Sequence, residues 1–480
     1  MHKGLLWTFL LIAVTGCMTV GPDYRRPRFE NPTRWRFEEQ EAHDLANTAW
    51  WQQFNDPVLD ALVAEGLRQN TDVRIATARV EEFFGRYFSA RGDLYPFAEA
   101  GANATRQRVT EDEELFFGQQ DNPYSVYEVF LGASWELDFW GRYRRAAEAA
   151  RAELLATEEA RRSVVLSLVT AIASTYVDLL SLDKQLAITV QTAGSRKETL
   201  DLFDLRFSRG LTSEIDLIQA QSQYQEAAAR IPDIERAIGR TEHALSILLG
   251  RNPGPVLRGL PIEALALPQV PAGLPSEILE RRPDIRLAEQ TLVSANARIG
   301  VAKSLYFPSI SLTGALGSVS TDLSDLFTGK TKTWNYGVPI NVPLFTAGRI
   351  GGEVKAAQAF EKQALYGYQQ AIQNAFREVE DALLDRSKGV QRLEALSLQR
   401  EALRNYARLA RMRYEGGYTS YLEVLDAERS LFDVEIAYAN AQDALFRAIV
   451  DIYKAMGGGW VAIATAQVPV QPEKEARFIP

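Results

Sequence analysis

One kind of turn occurs twice in this chain, and the spacing around it restricts the fold. RFSRGLTS stands at 206–213 and RYEGGYTS at 413–420. A Gly-Arg pair precedes each turn, ending at Arg142 in the first copy and at Arg349 in the second, and in both copies 64 residues lead from it to the Arg that opens the turn. Loops accept insertions, whereas a helix whose two ends must both meet something does not. Two helices of about 95 Å are therefore predicted, far longer than those of a globular domain.

The first of these segments also has the periodicity of an assembled helix. Its apolar residues follow an alternating three-four spacing, which predicts a narrow seam for a neighbouring helix. The seam consists of Val165, Leu168, Ile172, Thr175, Leu179, Leu182 and Leu186. The second copy follows the pattern less cleanly, because Arg386 and Gly389 fall on it.

The amino terminus has the pattern of a secretory signal. A basic Lys3 precedes an uncharged apolar run that is too short to span a bilayer, and small residues lead to Cys17, the single cysteine. VTGC at 14–17 resembles the lipobox of bacterial lipoproteins, which implies cleavage before Cys17 and its lipidation. A plain signal peptide with an incidental cysteine is the alternative. No later uncharged apolar run reaches the ~18 residues of a spanning helix, so none is predicted in the mature chain.

Before each Gly-Arg pair the pattern changes to a period of two. In 124–139, Tyr, Val, Leu, Trp and Phe alternate with mainly polar residues, and 333–344 repeats the alternation with Trp334 and Tyr336 on the apolar side. This is typical of strands with one apolar and one wet face. With weaker strands at 97–109 and 309–320, each copy is predicted to form a hairpin.

Four strands with an aromatic apolar face are too few for a membrane barrel. Strands cross lipid only in a closed sheet, and the smallest bacterial barrels use about eight. Either the sheet is soluble with a wet face, or several chains share one barrel, and the signal and the long helices favour sharing.

Composition and motifs exclude other classes. The net charge of −9 and the lack of a basic block argue against a nucleic-acid partner. Three His and four Met leave little for a metal site, and no cofactor is predicted. The chain has no HExxH, GxSxG or complete phosphate-binding loop, so an enzyme is not expected.

These features together resemble the TolC family of trimeric outer-membrane channels, in its lipoprotein branch that serves resistance-nodulation-division pumps. The resemblance is carried by GCMTVGPDYRRP, WWQQFNDPVLDALVAEGLRQN, LPSEILERRPDIRLAE and both glycine turns. It implies a mostly α fold in which four strands per chain enter a shared 12-stranded barrel, with a long periplasmic α-helical barrel and two internal repeats.

The resemblance also implies an organisation and a set of partners. The partners are two copies of the same chain in a homotrimer, outer-membrane lipid, a periplasmic adaptor protein and an inner-membrane pump. The predicted organisation is a signal peptide (1–16), a lipidated segment with an equatorial helix (17–70), a first repeat (71–270, with β-hairpin 96–140 and long helix 143–206), a second repeat (271–458, with β-hairpin 308–347 and long helix 349–413) and a C-terminal tail (459–480).

By the same resemblance, the two turns are the periplasmic tips of the channel. The residues expected to contact the adaptor are Gly210, Leu211, Thr212, Gly416, Gly417 and Tyr418. The two aligned glycines also have a purely structural explanation, because glycine ends a helix in the left-handed conformation without steric cost.

The gate of the periplasmic aperture is expected just after the second turn. By resemblance, Leu422 and Asp426 match the apolar and acidic rings that close the channel, and Tyr414, Asp216 and Glu423 match positions around them. Ser420 and Glu423 also have the spacing of a capping box, which Ser213 and Asp216 imitate, and Asp426 alone would be consistent with a solvated face.

The expected function is a passive efflux conduit gated at its periplasmic tip. A lipid-anchored periplasmic coiled-coil scaffold is the alternative, although it leaves the aromatic strands unexplained. The exported compounds are not readable from the sequence. The Pro-rich end at 468–480 is expected to be poorly ordered.

Overall fold

The computed structural model describes residues 19–29, 32, 35–36, 49–108, 122–270, 275–457 and 460–468. Cys17 and nearly all of the Pro-rich end lie outside these residues. The chain forms two compact units. The sheet unit comprises Met1–Arg28, Val80–Thr157 and Ala288–Tyr368, and the helical unit comprises Phe29–Arg79, Glu158–Leu287 and Gln369–Pro480.

The chain is mostly helical, as predicted. Two helices of 67 residues each dominate it, and each is about 100 Å long. The helices are α1 (Pro57–Gln69), α2 (Thr71–Gly92), α3 (Arg142–Ser208), α4 (Glu214–Leu248), α5 (Pro275–Arg281), α6 (Pro283–Ser304), α7 (Arg349–Glu415), α8 (Tyr421–Met456) and α9 (Trp460–Gln467).

The strands of the described residues form a single antiparallel sheet within the sheet unit. They are β1 (Phe97–Gln107), β2 (Tyr124–Glu136), β3 (Ser309–Ser320), β4 (Lys332–Gly337) and β5 (Ile340–Asn341). The order is β1-β2-β3-β4, and β5 also pairs with β3. Both predicted hairpins form, and the pairing of β2 with β3 joins them. The register of β4 on β3 continues into β5, so each chain supplies four lines of strand.

The register aligns the apolar residues of neighbouring strands on one face. Ala100 pairs with Leu131, Leu131 with Leu316, and Leu316 with Trp334, so one row crosses the whole sheet. Directly paired residues point to the same side of a sheet, which makes this an apolar face. The opposite face carries Glu99, Asn103, Glu128, Ser134, Glu136, Ser311, Thr313, Thr333 and Asn335.

The core of the helical unit is rich in tryptophan. Trp50 stacks on Tyr453 with ring centroids 5.0 Å apart and meets the edge of Trp460 at 6.0 Å. Trp50 and Trp460 are fully buried. The region from residue 459, predicted only as a tail, thus begins with a packed helix, α9, whose burial depends on residues that are distant in sequence.

Helix α3 buries a broader face than the predicted narrow seam. Besides Val165 and Ile172, it buries Val169, Tyr176 and Leu180, because this stretch belongs to the tryptophan-rich core and not to a single two-helix contact. Thr175, Leu182 and Leu186 of the predicted seam are only half-buried. By length and composition α3 also contains a stretch apolar enough to cross a membrane, and 61% of that stretch is buried inside the structure. Core helices commonly have this property.

A buried carboxylate fastens the loop after α4 to the helices of the same unit. Asp56 accepts hydrogen bonds from the Tyr176 hydroxyl at 2.7 Å, from the Leu260 amide at 3.1 Å and from the Val58 amide at 2.9 Å. Its burial is complete, so each bond replaces one that water would supply. Gly259 lies directly against this carboxylate, where a Cβ atom would clash.

Candidate functional site

The first turn, residues 209–213 between α3 and α4, is closed by backbone hydrogen bonds around a glycine in the left-handed conformation. Gly210 has φ +71°, the Leu211 amide donates to the Arg206 carbonyl at 2.8 Å, and the Gly210 amide donates to the Phe207 carbonyl at 2.9 Å. This pattern satisfies the last carbonyls of α3. Leu211 is left 73% exposed at the end of the hairpin formed by α3 and α4.

The second turn, 416–420, repeats this backbone. Gly417 has φ +74°, and the Tyr418 amide donates to the Arg413 carbonyl at 2.8 Å. Tyr418 is 80% exposed. At the additional Gly416, a Cβ atom would lie 2.8 Å from the Tyr418 ring.

The first turn caps the next helix with its own side chains. The Ser213 hydroxyl accepts from the Asp216 amide at 3.3 Å, and the Asp216 carboxylate accepts from the Ser213 amide at 3.3 Å. The same carboxylate accepts from the hydroxyls of Ser213 at 2.7 Å and Thr212 at 3.1 Å. The hydrogen bond from the Ser213 side chain is the main cause that lowers the pKa of Asp216. Asp216 is therefore part of a complete capping box.

The second turn lacks that box, which corrects the sequence prediction. Ser420 stands at the N-cap of α8, but its side chain makes no capping bond. The Glu423 carboxylate instead accepts from the Thr419 hydroxyl and from Arg413 Nη1 at 3.2 Å. Glu423 thus anchors the start of α8 to the end of α7, a contact that spacing along one helix does not reveal.

Tyr414 lies in an aromatic cluster inside the two turns. Its ring is 5.3 Å from Tyr421 and 6.5 Å from Phe203, and its hydroxyl accepts from Arg206 Nη1 at 2.9 Å. Burial raises the pKa of Tyr421 to about 12. The cluster ties the hairpin of α3 and α4 to the hairpin of α7 and α8.

Leu422 and Asp426 lie on an exposed edge of α8. Leu422 is 61% exposed, and Asp426 forms an ion pair with Arg429 at 3.0 Å. Both line a small groove of about 240 Å³ between α4 and α8, which is bounded by Gln219, Ser222, Gln223, Leu422, Leu425, Asp426 and Arg429. Arg429 was not singled out in the sequence, although its i,i+3 spacing from Asp426 is the available signal.

A ladder of ion pairs joins α7 to α8 above the second turn. Each pair joins an arginine of α7 to a glutamate of α8. Of these residues, the sequence analysis singled out only Glu423, in the pair nearest the turn. The pairs are Arg413–Glu423, Arg411–Glu428 and Arg404–Glu435. In the first hairpin, one comparable pair, Arg196–Glu226, joins α3 to α4 in the described part of the chain.

Comparison with known proteins agrees with this architecture. The family described as outer membrane efflux protein matches residues 62–251 and 274–458. The chain belongs to this family. It is therefore an outer-membrane efflux channel and not an enzyme.

Individual relatives match over nearly the whole chain. The probable efflux pump outer membrane protein TtgC of Pseudomonas putida is 34% identical over 468 residues, which cover 96% of each chain. The probable outer membrane lipoprotein SilC of Salmonella typhimurium is 33% identical over 463 residues, 95% of this chain and 99% of its own. Among solved structures, the outer-membrane channel OprN matches with a TM-score of 0.84 and 32% identity, over 92% of this chain and 99% of that one.

Proposed function

We propose that three copies of this chain form one conduit, with a shared 12-stranded barrel in the outer membrane and a helical barrel in the periplasm. The proposal rests on the sheet, which has one apolar and one polar face. Its apolar face is open to solvent, with Trp334 74% and Tyr336 80% exposed. A surface of this kind needs either a partner or lipid.

The edges of the sheet determine how lipid can cover it. Strands β1 and β4 are the two outermost in the sheet order. In hydrocarbon the unpaired backbone groups of such edges cost several kcal/mol each, so the sheet has to close. Three copies, each with four lines of strand, close a barrel when β4 of one chain pairs with β1 of the next.

The helical hairpins then supply the periplasmic part. Since α3 and α7 have the same length, six hairpins from three chains end in one plane. The exposed ends of this plane, including Gly210, Leu211, Thr212, Gly416, Gly417 and Tyr418, are the surface for an adaptor protein. An inner-membrane pump of the resistance-nodulation-division class stands behind that adaptor.

The aperture lies where the α8 helices approach the threefold axis. Three copies of Leu422 make an apolar ring, and three copies of Asp426 make an acidic ring that favours cations. Tyr414 and Glu423 hold the helices around these rings, and Asp216 caps the start of α4 beside them. Opening separates the rings by a movement of α8 against α4, between two packed arrangements.

The amino terminus adds an anchor through lipidation of Cys17. The relative SilC is named as an outer membrane lipoprotein, which supports this assignment. Lipidation would be tested by mass spectrometry of the mature protein and of Cys17→Ser. An unmodified amino terminus in the mature protein would refute it.

The conduit is tested by purifying the full chain from outer-membrane fractions. We expect a heat-modifiable trimer in detergent and ion conductance in planar bilayers. A protein that stays monomeric and silent would instead support the lipid-anchored periplasmic scaffold.

A further inference from the structure

The apolar face of the sheet carries two charged residues in its described strands, and both are cations. Arg106 is two residues from Ala104, which pairs with Tyr127 on that face. Lys332 is two residues from Trp334. The carboxylates of the same strands, Glu99, Glu128 and Glu136, all lie on the opposite face. The cations of these strands thus lie on the apolar face and the carboxylates on the polar face.

Both cations lie at the same end of the sheet. Arg106 is the residue before the last of β1, and Lys332 is the first of β4, so both are at the end away from the entry of α2 into β1. Both side chains are exposed, and neither forms an ion pair within the described residues. Two exposed cations beside an apolar face are therefore available to an external anion.

Their strands are the two edges of the sheet. In the shared barrel proposed above, on which this inference rests, β4 of one chain lies beside β1 of the next. Lys332 of one chain and Arg106 of its neighbour then occupy the outer rim of the same junction. The barrel would present three such junctions, one between each pair of chains.

The neighbouring residues indicate the depth of this rim. Trp334 and Tyr336 follow Lys332 on the same face, and their rings stack 5.7 Å apart. Aromatic side chains of this kind concentrate at the boundary between hydrocarbon and headgroups. A long cationic side chain just beyond them extends its charged end to the headgroup level while its stem covers apolar surface.

We propose that each chain junction binds a phosphate-bearing lipid of the outer leaflet through Arg106 and Lys332. Charge complementarity favours an anionic headgroup, and guanidinium groups form bidentate hydrogen bonds with phosphate. The apolar row of Ala100, Leu131, Leu316 and Trp334 supplies the surface for its acyl chains. The bound lipid would seal the junction between two chains that are joined there only by edge pairing.

The test uses the full-length trimer in phosphatidylcholine nanodiscs doped with bisphosphorylated lipid A, with native mass spectrometry to count the retained lipid A. The double variant Arg106→Gln, Lys332→Gln should retain it ~5-fold more weakly for each cation removed. Lys362→Gln, which removes a cation from α7, is the matched control and should retain lipid A like the wild type. Equal retention by all three proteins, or equal loss in the control, would overturn the proposal.

Two further arms identify the ligand. Arg106→Lys should keep most of the retention, because it preserves the charge, and dephosphorylated lipid should be lost from the wild type. If inorganic phosphate displaced lipid A at a concentration equal to that of the lipid, the site would be one for free phosphate. That result would refute lipid binding. A conducting trimer that retains no lipid A refutes this inference alone, whereas a monomeric, silent protein refutes the shared barrel first.

Discussion

The two turns between helices have the same backbone conformation, but different side-chain contacts hold them in place. Each ends a long helix with a left-handed glycine and the same closing hydrogen bond. The first turn is self-sufficient, because Ser213, Thr212 and Asp216 satisfy one another locally. The second keeps the Thr419–Glu423 contact but lacks a bond from the Ser420 side chain, and Arg413 of α7 also holds Glu423 of α8. Two turns with the same backbone thus differ: the first is fixed by its own capping box, and the second also by a contact between its two helices.

This difference bears on the proposed aperture. A start of α8 that is fixed by ion pairs to α7 can change its contacts without losing a local cap. Exposed ion pairs contribute only about 0–1 kcal/mol each, so the cost of rearranging them is small. We infer that the second hairpin is the one that moves.

The largest expected effect comes from truncating the aperture. Leu422→Ala with Asp426→Ala removes the apolar and acidic rings, and single-channel conductance in planar bilayers should rise several-fold. The matched control is Ile215→Ala, at the position of the first hairpin that corresponds to Leu422, and its conductance should change much less. Equal rises in both variants would mean that the hairpins do not differ in gating.

A second prediction concerns a contact between α8 and α3 that lies far from the turns. Asp443 of α8 is buried against Asp178 of α3, and Arg447 contacts both at 2.9 and 3.2 Å. Burial, with the Asp178 carboxylate, raises the pKa of Asp443 from the ordinary 3.8 to about 7. At the corresponding position the first hairpin has Arg236, which pairs with Asp233.

A raised carboxyl pKa means that the folded state holds the proton more tightly than the unfolded state. The stability from this group is therefore complete below the ordinary pKa and is lost as pH rises through about 7. The thermal midpoint of the protein should fall over this range, and Asp443→Asn should flatten the fall. Asp433→Asn, on an exposed part of α8, is the control and should leave the wild-type slope unchanged. An identical slope in Asp443→Asn would contradict the raised pKa of Asp443.

The caps provide a smaller and more local test. Ser213→Ala breaks the capping box and should destabilise the start of α4 by ~1 kcal/mol. Ser420→Ala removes a side chain that makes no capping bond, so its effect should be close to zero. Amide hydrogen exchange at the first turns of α4 and α8 would measure both, and equal acceleration in the two variants would show that the turns are capped alike.

The smallest effect is expected from a single pair of the ladder. Arg404→Gln leaves Glu435 without its partner and should weaken the contact between α7 and α8 by less than ~1 kcal/mol. The protection of α8 against hydrogen exchange should fall slightly at low salt and be unchanged at high salt, because salt screens exposed charges. Arg236→Gln, in the first hairpin, should leave α8 unchanged. A loss of protection independent of salt would mean that Arg404 acts through packing and not through its charge.

Features set by periodicity are predictable from local patterns in the chain. The equal spacing after Arg142 and Arg349 indicates the long helices, and the period of two indicates strands with an apolar face. The turn glycines follow from the chemistry of helix ends. Contacts between distant segments are not predictable in this way, which is why Ser420 was expected to cap, whereas the local Arg429–Asp426 pair at i,i+3 had a signal in the sequence that was not used.

Taken alone, the sequence determined the long helices and the strands with an apolar face, and that four strands are too few to seal a barrel. These properties depend on residues a few positions apart, where backbone geometry fixes the repeat. The tertiary structure decided the pairing of β2 with β3, the broad buried face of α3, the packing of Trp460 against Trp50, and the choice of Arg413 over Ser420 as the anchor of the second turn. These features depend on the free energies of contacts between side chains that are remote in sequence. A local sequence pattern contains no information about such contacts.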